Sequence, residues 1–172
     1  EPILEVLSRF GFGEETGTGF PGERTGSIPS HESASAIDKV SVAFGYGLNA
    51  TPIQLARAYG VFANHGVQLP LTLLRRDPNK KTKGEQIISE KLARDVLDVL
   101  ARVTGPNGTA KLARVPGFPV GGKTGTVRKS GANGYLDSEY VAWFVGIAPM
   151  DEPRYVTAIL IDQPRGEYYG GA

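Results

Sequence analysis

Residues 115–131 read Val115-Pro116-Gly117-Phe118-Pro119-Val120-Gly121-Gly122-Lys123-Thr124-Gly125-Thr126-Val127-Arg128-Lys129-Ser130-Gly131, and two incompatible structures compete for them. Gly117, Gly122, Lys123 and Thr124 satisfy the phosphate-binding pattern G-x-x-x-x-G-K-[ST] of a nucleotide-binding P-loop. Further on, Ala158-Ile159-Leu160-Ile161-Asp162 resembles an apolar strand ending in a magnesium-holding aspartate. That reading needs a strand entering the loop and a helix leaving it, so that backbone N–H groups and the helix N-terminus face the anion. The approach carries Pro116 and Pro119, which disfavour a central strand. The exit carries Gly125 and Gly131 and has no helical apolar spacing.

The same residues suit an exposed strand edge. On a strand, alternate side chains share a face, so Lys123 and Gly125 point one way and Thr124 and Thr126 the other. Gly125 lets a substrate backbone or an opposite residue come close. A lysine ammonium beside threonine hydroxyls makes a compact site for a carboxylate, and a glycine-flanked strand leaves N–H groups for an oxyanion. Lys123-Thr124-Gly125 matches the K-[ST]-G element of serine acyl-transferases that react with β-lactams. Taken alone the tripeptide is unspecific, and a surface turn with a solvated lysine accounts for it as well.

Outward from this stretch the pattern is helices first, strands last. Ile3, Leu4, Leu7 and Phe10 fall on one helix face that stops at Gly11. Residues 13–35 are rich in Gly, Pro, Ser, Thr and charge, an irregular stretch of a length that is usually functional or mobile. Thr51 as cap, Pro52 at the first helical position and Gln54 completing a capping box predict a helix start. Leu55, Ala58, Tyr59 and Phe62 form its apolar face and Gly66 its stop. A second helix begins near Ser89, with Leu92, Val96, Leu97, Val99, Leu100 and Val103 inward, and ends at Gly105-Pro106. Residues 77–84 between the helices read as a polar loop. Residues 120–128, 140–148 and 154–162 read as strands. A Gly-rich loop (129–138) joins the first two, and the short PMDEP connection makes the last two an antiparallel hairpin. The expected class is α+β, an antiparallel sheet flanked by helices, with no internal division.

Composition excludes more than it assigns. The chain has 172 residues, 40% hydrophobic and 22% charged, as in ordinary globular proteins. A net charge of +1 gives no general attraction to nucleic acid or anionic lipid. Without cysteine there are no disulfides, thiolate metal sites or cysteine nucleophiles. No apolar run is long enough to span a bilayer, so any membrane anchor of a parent protein is expected outside this chain. His31 and His65 lack metal-ligand spacing, and Asp151-Glu152 reads as a solvated turn. No cofactor or metal is implied.

Several motifs agree in order and spacing. Phe44-Gly45-Tyr46-Gly47, then Thr51-Pro52-Ile53-Gln54-Leu55-Ala56-Arg57-Ala58-Tyr59, then Ala63-Asn64-His65-Gly66, resemble a segment of class B penicillin-binding proteins. Gly121 to Thr126, Tyr140 to Pro149, Tyr168-Tyr169-Gly170-Gly171 and the earlier Pro21-Gly22-Glu23 fit the same family, and within it the division-specific transpeptidases of Gram-negative bacteria. The resemblance implies the carboxyl-terminal part of a penicillin-binding, serine β-lactamase-like transpeptidase domain, truncated at both ends. It departs from the family in having no S-x-x-K and no S-x-N, so the nucleophilic serine is expected upstream.

Further implications concern chemistry and partners. A serine acyl-enzyme would cross-link D-Ala-D-Ala stem peptides of peptidoglycan at the periplasmic face of the inner membrane, with divisome proteins as partners and β-lactams as trapping mimics. Lys123 would hold the substrate carboxylate or assist proton transfer. Thr124 and Thr126 would hydrogen-bond the carboxylate, Gly125 would allow close approach, and the Thr126 N–H would be half of an oxyanion hole. Arg128 would lie near the ligand, with Tyr140, Tyr168 and Tyr169 as an aromatic wall. Tyr46 is expected to pack beside the helix start. Carboxypeptidase, β-lactamase and β-lactam-sensor roles share K-[ST]-G and remain open at this point, as does the P-loop reading.

Overall fold

The computed structural model describes residues 2–30, 35–77, 79–131 and 134–172. Helix α1 covers Pro2–Arg9, with Leu4 and Phe10 buried and Ile3 and Leu7 half-buried, as their spacing requires. A second helix, α2 (Ala36–Ala43), was not legible beforehand. Its β-branched, weakly periodic sequence buries only Val42 among the described side chains and leaves Ile37 and Val40 exposed. His31 lies outside the described residues.

Helix α3 (Pro52–Ala63) starts where its signals put it. Thr51 Oγ1 accepts from the Gln54 N–H at 3.3 Å, and the Thr51 N–H donates to Gln54 Oε1 at 2.8 Å. Such a cap is worth about 1 kcal/mol. The Gln54 side chain does more. It is almost fully buried, and its Nε2 donates to the carbonyls of Glu14 (2.8 Å) and Thr25 (2.7 Å). A polar residue at the helix start thus ties down the irregular 13–27 segment. A second tie is Glu23, whose carboxylate accepts from the Thr16 N–H and hydroxyl and from the Thr18 hydroxyl. The Thr16 hydroxyl bond is the main reason its pKa falls below the ordinary carboxylate value. In the core, Ala58 and Val61 of α3 meet Phe10 and Ile87, with Phe12, Phe62 and Ile88 packed around them. Burial pushes the Tyr59 phenol up to about 12. At the C-terminal end the Gly66 N–H returns to the Val61 carbonyl at 2.8 Å.

The 67–86 region contains a small two-stranded sheet, β1 (Val67–Gln68) with β2 (Glu85–Gln86), around the polar loop. Helix α4 (Glu90–Leu100) is capped by Ser89 and continues as a 3-10 turn, Ala101–Thr104. Its inward stripe differs from expectation. Ala93, Leu100 and Val103 are buried and Val96 and Leu97 half-buried, whereas Leu92 and Val99 are 48% and 63% exposed. The two exposed residues, a heptad apart, lie together to one side of the buried Ala93.

The last third is a three-stranded antiparallel sheet in the order β3-β4-β5: Gly121–Gly131, Gly134–Ala148 and Tyr155–Asp162. Residues 129–131 and 134–138, expected as parts of a loop, are strand. The ladder continues to Gly131↔Gly134, with a register irregularity between Arg128 and Ser130 that lets β4 take up its extra residues. One face presents Val145 and Ile147, both fully buried, and Val156 towards α3 and the Ala101–Thr104 turn. The other presents Thr124, Thr126, Ala142 and Phe144 towards residues 109–113 and the terminal turn 168–171.

Candidate functional site

The residues following Thr124 run as extended strand to Gly131, so no helix receives a phosphate and the P-loop reading fails on geometry. Asp162, the aspartate that reading assigned to magnesium, pairs with Lys129 at 2.8 Å instead. The K-T-G strand lies at the sheet margin. Strand β3 pairs with β4 on one side and with no other strand among the described residues.

The register sets each side chain. Lys123 is opposite Val145, Thr124 opposite Phe144, Gly125 opposite Trp143, Thr126 opposite Ala142 and Arg128 opposite Tyr140. Glycine is required at 125 because the Trp143 indole occupies the space where a Cβ would stand. Lys123 is exposed, and its ammonium donates to the Thr124 carbonyl at 2.6 Å. On the opposite face, the Thr124 and Thr109 hydroxyls lie 3.1 Å apart. Thr126 Oγ1 accepts from the Gly170 N–H at 3.1 Å, which leaves the Thr126 proton available for another acceptor. The terminal turn can lie this close because residues 170 and 171 have no side chain: a Cβ on Gly170 would strike the Gly125 and Trp143 carbonyls, and one on Gly171 the Thr109 carbonyl.

This turn carries the aromatic residues to the strand. Tyr168 stacks on Tyr140 with centroids 4.3 Å apart and on Tyr169 at 4.5 Å. Each such contact is worth about 0.5–1.5 kcal/mol beyond area burial. The Tyr168 hydroxyl donates to that of Tyr169 at 3.3 Å, and this bond raises the Tyr168 pKa. Arg128 lies 5.9 Å from the Tyr140 ring centroid. Hydrogen bonding to Tyr140, then Tyr140's charge, raises the guanidinium pKa. The expected residues Lys123, Thr124, Gly125, Thr126, Arg128, Tyr140, Tyr168 and Tyr169 therefore form one strip along β3, the facing part of β4 and the terminal turn.

Two neighbours were misjudged or missed. Tyr46, expected beside the helix start, packs edge-on against Tyr135 of β4, with centroids 5.9 Å apart. Thr109 is not among the expected site residues, and only the folded chain brings it to Thr124. His65 sits past the end of α3, exposed, with Nδ1 3.6 Å from Glu90.

The site is thus an accessible strand at a sheet margin that carries a lysine and two threonines and is flanked by stacked tyrosines. The penicillin binding protein transpeptidase domain matches residues 1–172, and the chain belongs to that family. It is 45% identical to a probable peptidoglycan D,D-transpeptidase, PbpC, of Pseudomonas aeruginosa, covering 99% of this chain and 30% of that protein. It is 37% identical to the peptidoglycan D,D-transpeptidase FtsI of Escherichia coli K12, covering 99% of this chain and 29% of that protein. The chain thus spans less than a third of the length of these curated relatives. Its structure matches the transpeptidase domain of Burkholderia pseudomallei penicillin-binding protein 3 with a TM-score of 0.90 at 37% identity, covering 98% of this chain and 51% of that one. The aztreonam complex of penicillin-binding protein 3 from Mycobacterium tuberculosis matches with a TM-score of 0.86 at 32% identity, covering 98% and 41%.

Proposed function

We propose that the chain is the carboxyl-terminal segment of a larger transpeptidase domain and supplies the substrate-binding strand of a peptidoglycan D,D-transpeptidase. In the proposed reaction a serine outside this chain attacks the carbonyl of the penultimate D-Ala of a stem peptide. The terminal D-Ala leaves with a proton, and an ester joins the serine to the stem. An amine of a neighbouring stem then attacks that ester, forming the cross-link and giving up one of its own protons to restore the serine hydroxyl. A β-lactam follows the first step alone, since its ring opens without a departing group.

The roles follow from the chemistry present. Thr124 and Thr126 hydroxyls donate to the terminal carboxylate. Lys123, a flexible point charge, swings from the Thr124 carbonyl to neutralise that carboxylate or to assist proton transfer. The Thr126 N–H donates to the oxyanion that develops at the attacked carbonyl. Gly125 keeps the strand open, Arg128 adds positive charge, and Tyr140, Tyr168 and Tyr169 border the donor's side chain. The observation that carries the reading is the K-T-G strand lying extended at a sheet margin, its threonines facing the aromatic turn. On this reading the complete protein works in septal synthesis with divisome partners, at the periplasmic face of the inner membrane. Among the described residues no helix is long and apolar enough to cross a membrane.

The test is Lys123→Ala in the full-length transpeptidase. Acylation by a fluorescent penicillin should slow by roughly 100-fold or more, the scale seen when one transition-state contact is removed. Unchanged acylation kinetics would rule out the assignment.

A further inference from the structure

The geometry points to Thr109 as a positioning residue that turns the Thr124 hydroxyl into a committed donor to the substrate carboxylate, an inference that rests on the transpeptidase reading. Thr109 is held in a braced loop. The Thr104 hydroxyl donates to the Val120 carbonyl at 2.8 Å, and the Gly108 N–H to the Gly105 carbonyl at 2.9 Å. The N–H of buried Ala110 donates to the Val103 carbonyl at 3.0 Å. A Cβ on Gly108 would run into that same carbonyl, so the loop lies against the 3-10 turn that leaves α4. On the other side, the Thr109 carbonyl fills the space beside Gly171. The Thr109 backbone is thus held between the loop and the terminal turn, and its exposed side chain meets Thr124 of β3.

Proton counting assigns its role. A hydroxyl has one proton and two acceptor sites, whereas a carboxylate only accepts. Thr124 can give its proton to the carboxylate only if the 3.1 Å contact with Thr109 runs the other way, with Thr109 as donor. At Thr126 that direction is already forced, because the partner is a backbone N–H, that of Gly170. Thr109 does with a side chain for Thr124 what Gly170 does with its backbone for Thr126. Both threonines then present their protons to the ligand, and each donor behind them strengthens the outgoing bond.

The experiment compares full-length Thr109→Val, Thr109→Ala, Thr109→Ser and Thr124→Val proteins, acylated by benzylpenicillin and by its methyl ester. Thr109→Val should lower the second-order acylation rate constant for the free acid by roughly three- to tenfold, the scale of one cooperating hydrogen bond. Thr109→Ser should restore it, and with the ester, which lacks the anion, the ratio of wild type to variant should shrink toward one. Equal rates for wild type and Thr109→Val, or equal losses for acid and ester, would overturn the inference. If Thr109→Val does not fold, Ser against Ala decides: Ser at the wild-type rate with Ala reduced supports the role, and equal rates for the two refute it. Thr124→Val separates the two levels. No loss there overturns the site itself, whereas a loss at Thr124 without one at Thr109 overturns only the present inference.

Discussion

Gly125 shows how one missing methyl group holds two parts of the site together. Its Cβ position lies inside the Trp143 indole, and its carbonyl abuts Gly170 of the terminal turn. Overpacking of this kind usually costs about 1–3 kcal/mol. Gly125→Ala is therefore expected to lower the thermal midpoint and to slow acylation of the full-length protein at least as much as Lys123→Ala. In a Trp143→Ala background the same substitution should cost little stability, because the colliding ring is gone. A Gly125→Ala protein with a normal midpoint and normal acylation would show that the strand can splay freely. Lys123 differs in kind. Its contact with the Thr124 carbonyl is an exposed one, so Lys123→Ala should affect chemistry without affecting the fold.

Among the elements, α3 links the irregular segment to the core. Its capping signals are local, but Gln54 also reaches residues 40 and 29 positions earlier in the chain. Removing that amide takes the donor from the carbonyls of Glu14 and Thr25 and the acceptor from the Thr51 N–H, each bond worth about 0.5–1.5 kcal/mol. Gln54→Leu is expected to destabilise the protein by about 2–4 kcal/mol in a urea titration. Amide hydrogen exchange should quicken first in residues 13–27, whereas an unchanged midpoint would mean that Glu23 and its threonines hold the segment alone. Helix α4 carries the opposite lesson. Large apolar spacing puts Leu92 and Val99 inside, yet the residues this helix buries are Ala93 and Leu100.

Over the whole molecule, apolar surface is concentrated on particular faces. Ile159, Leu160 and Ile161 of the outer strand β5 are each about half exposed, and α2 presents Ile37 and Val40. On the proposed reading, the remainder of the transpeptidase domain covers these faces, since exposed apolar strands are otherwise an aggregation hazard. The same reading assigns the nucleophile elsewhere, because no serine in the chain has a lysine three residues on. Labelled penicillin should accordingly leave no covalent adduct on the isolated 172-residue chain, as read by intact-mass spectrometry. A stoichiometric adduct would mean that a nucleophile resides here after all.

The amino-acid order alone determines the local features: the capped start of α3, the three strands of the last third, and the lysine-threonine strand with its family resemblance. Those depend on backbone preference and short-range hydrogen bonding, which act over a few residues. Sequence could not reveal that residues 129–131 and 134–138 extend the hairpin, that Tyr46 meets Tyr135, or that Thr109 stands beside Thr124. The last two are contacts between separate segments of the chain. Such contacts are set by which surfaces bury one another once the sheet has formed, and periodicity carries no record of that choice.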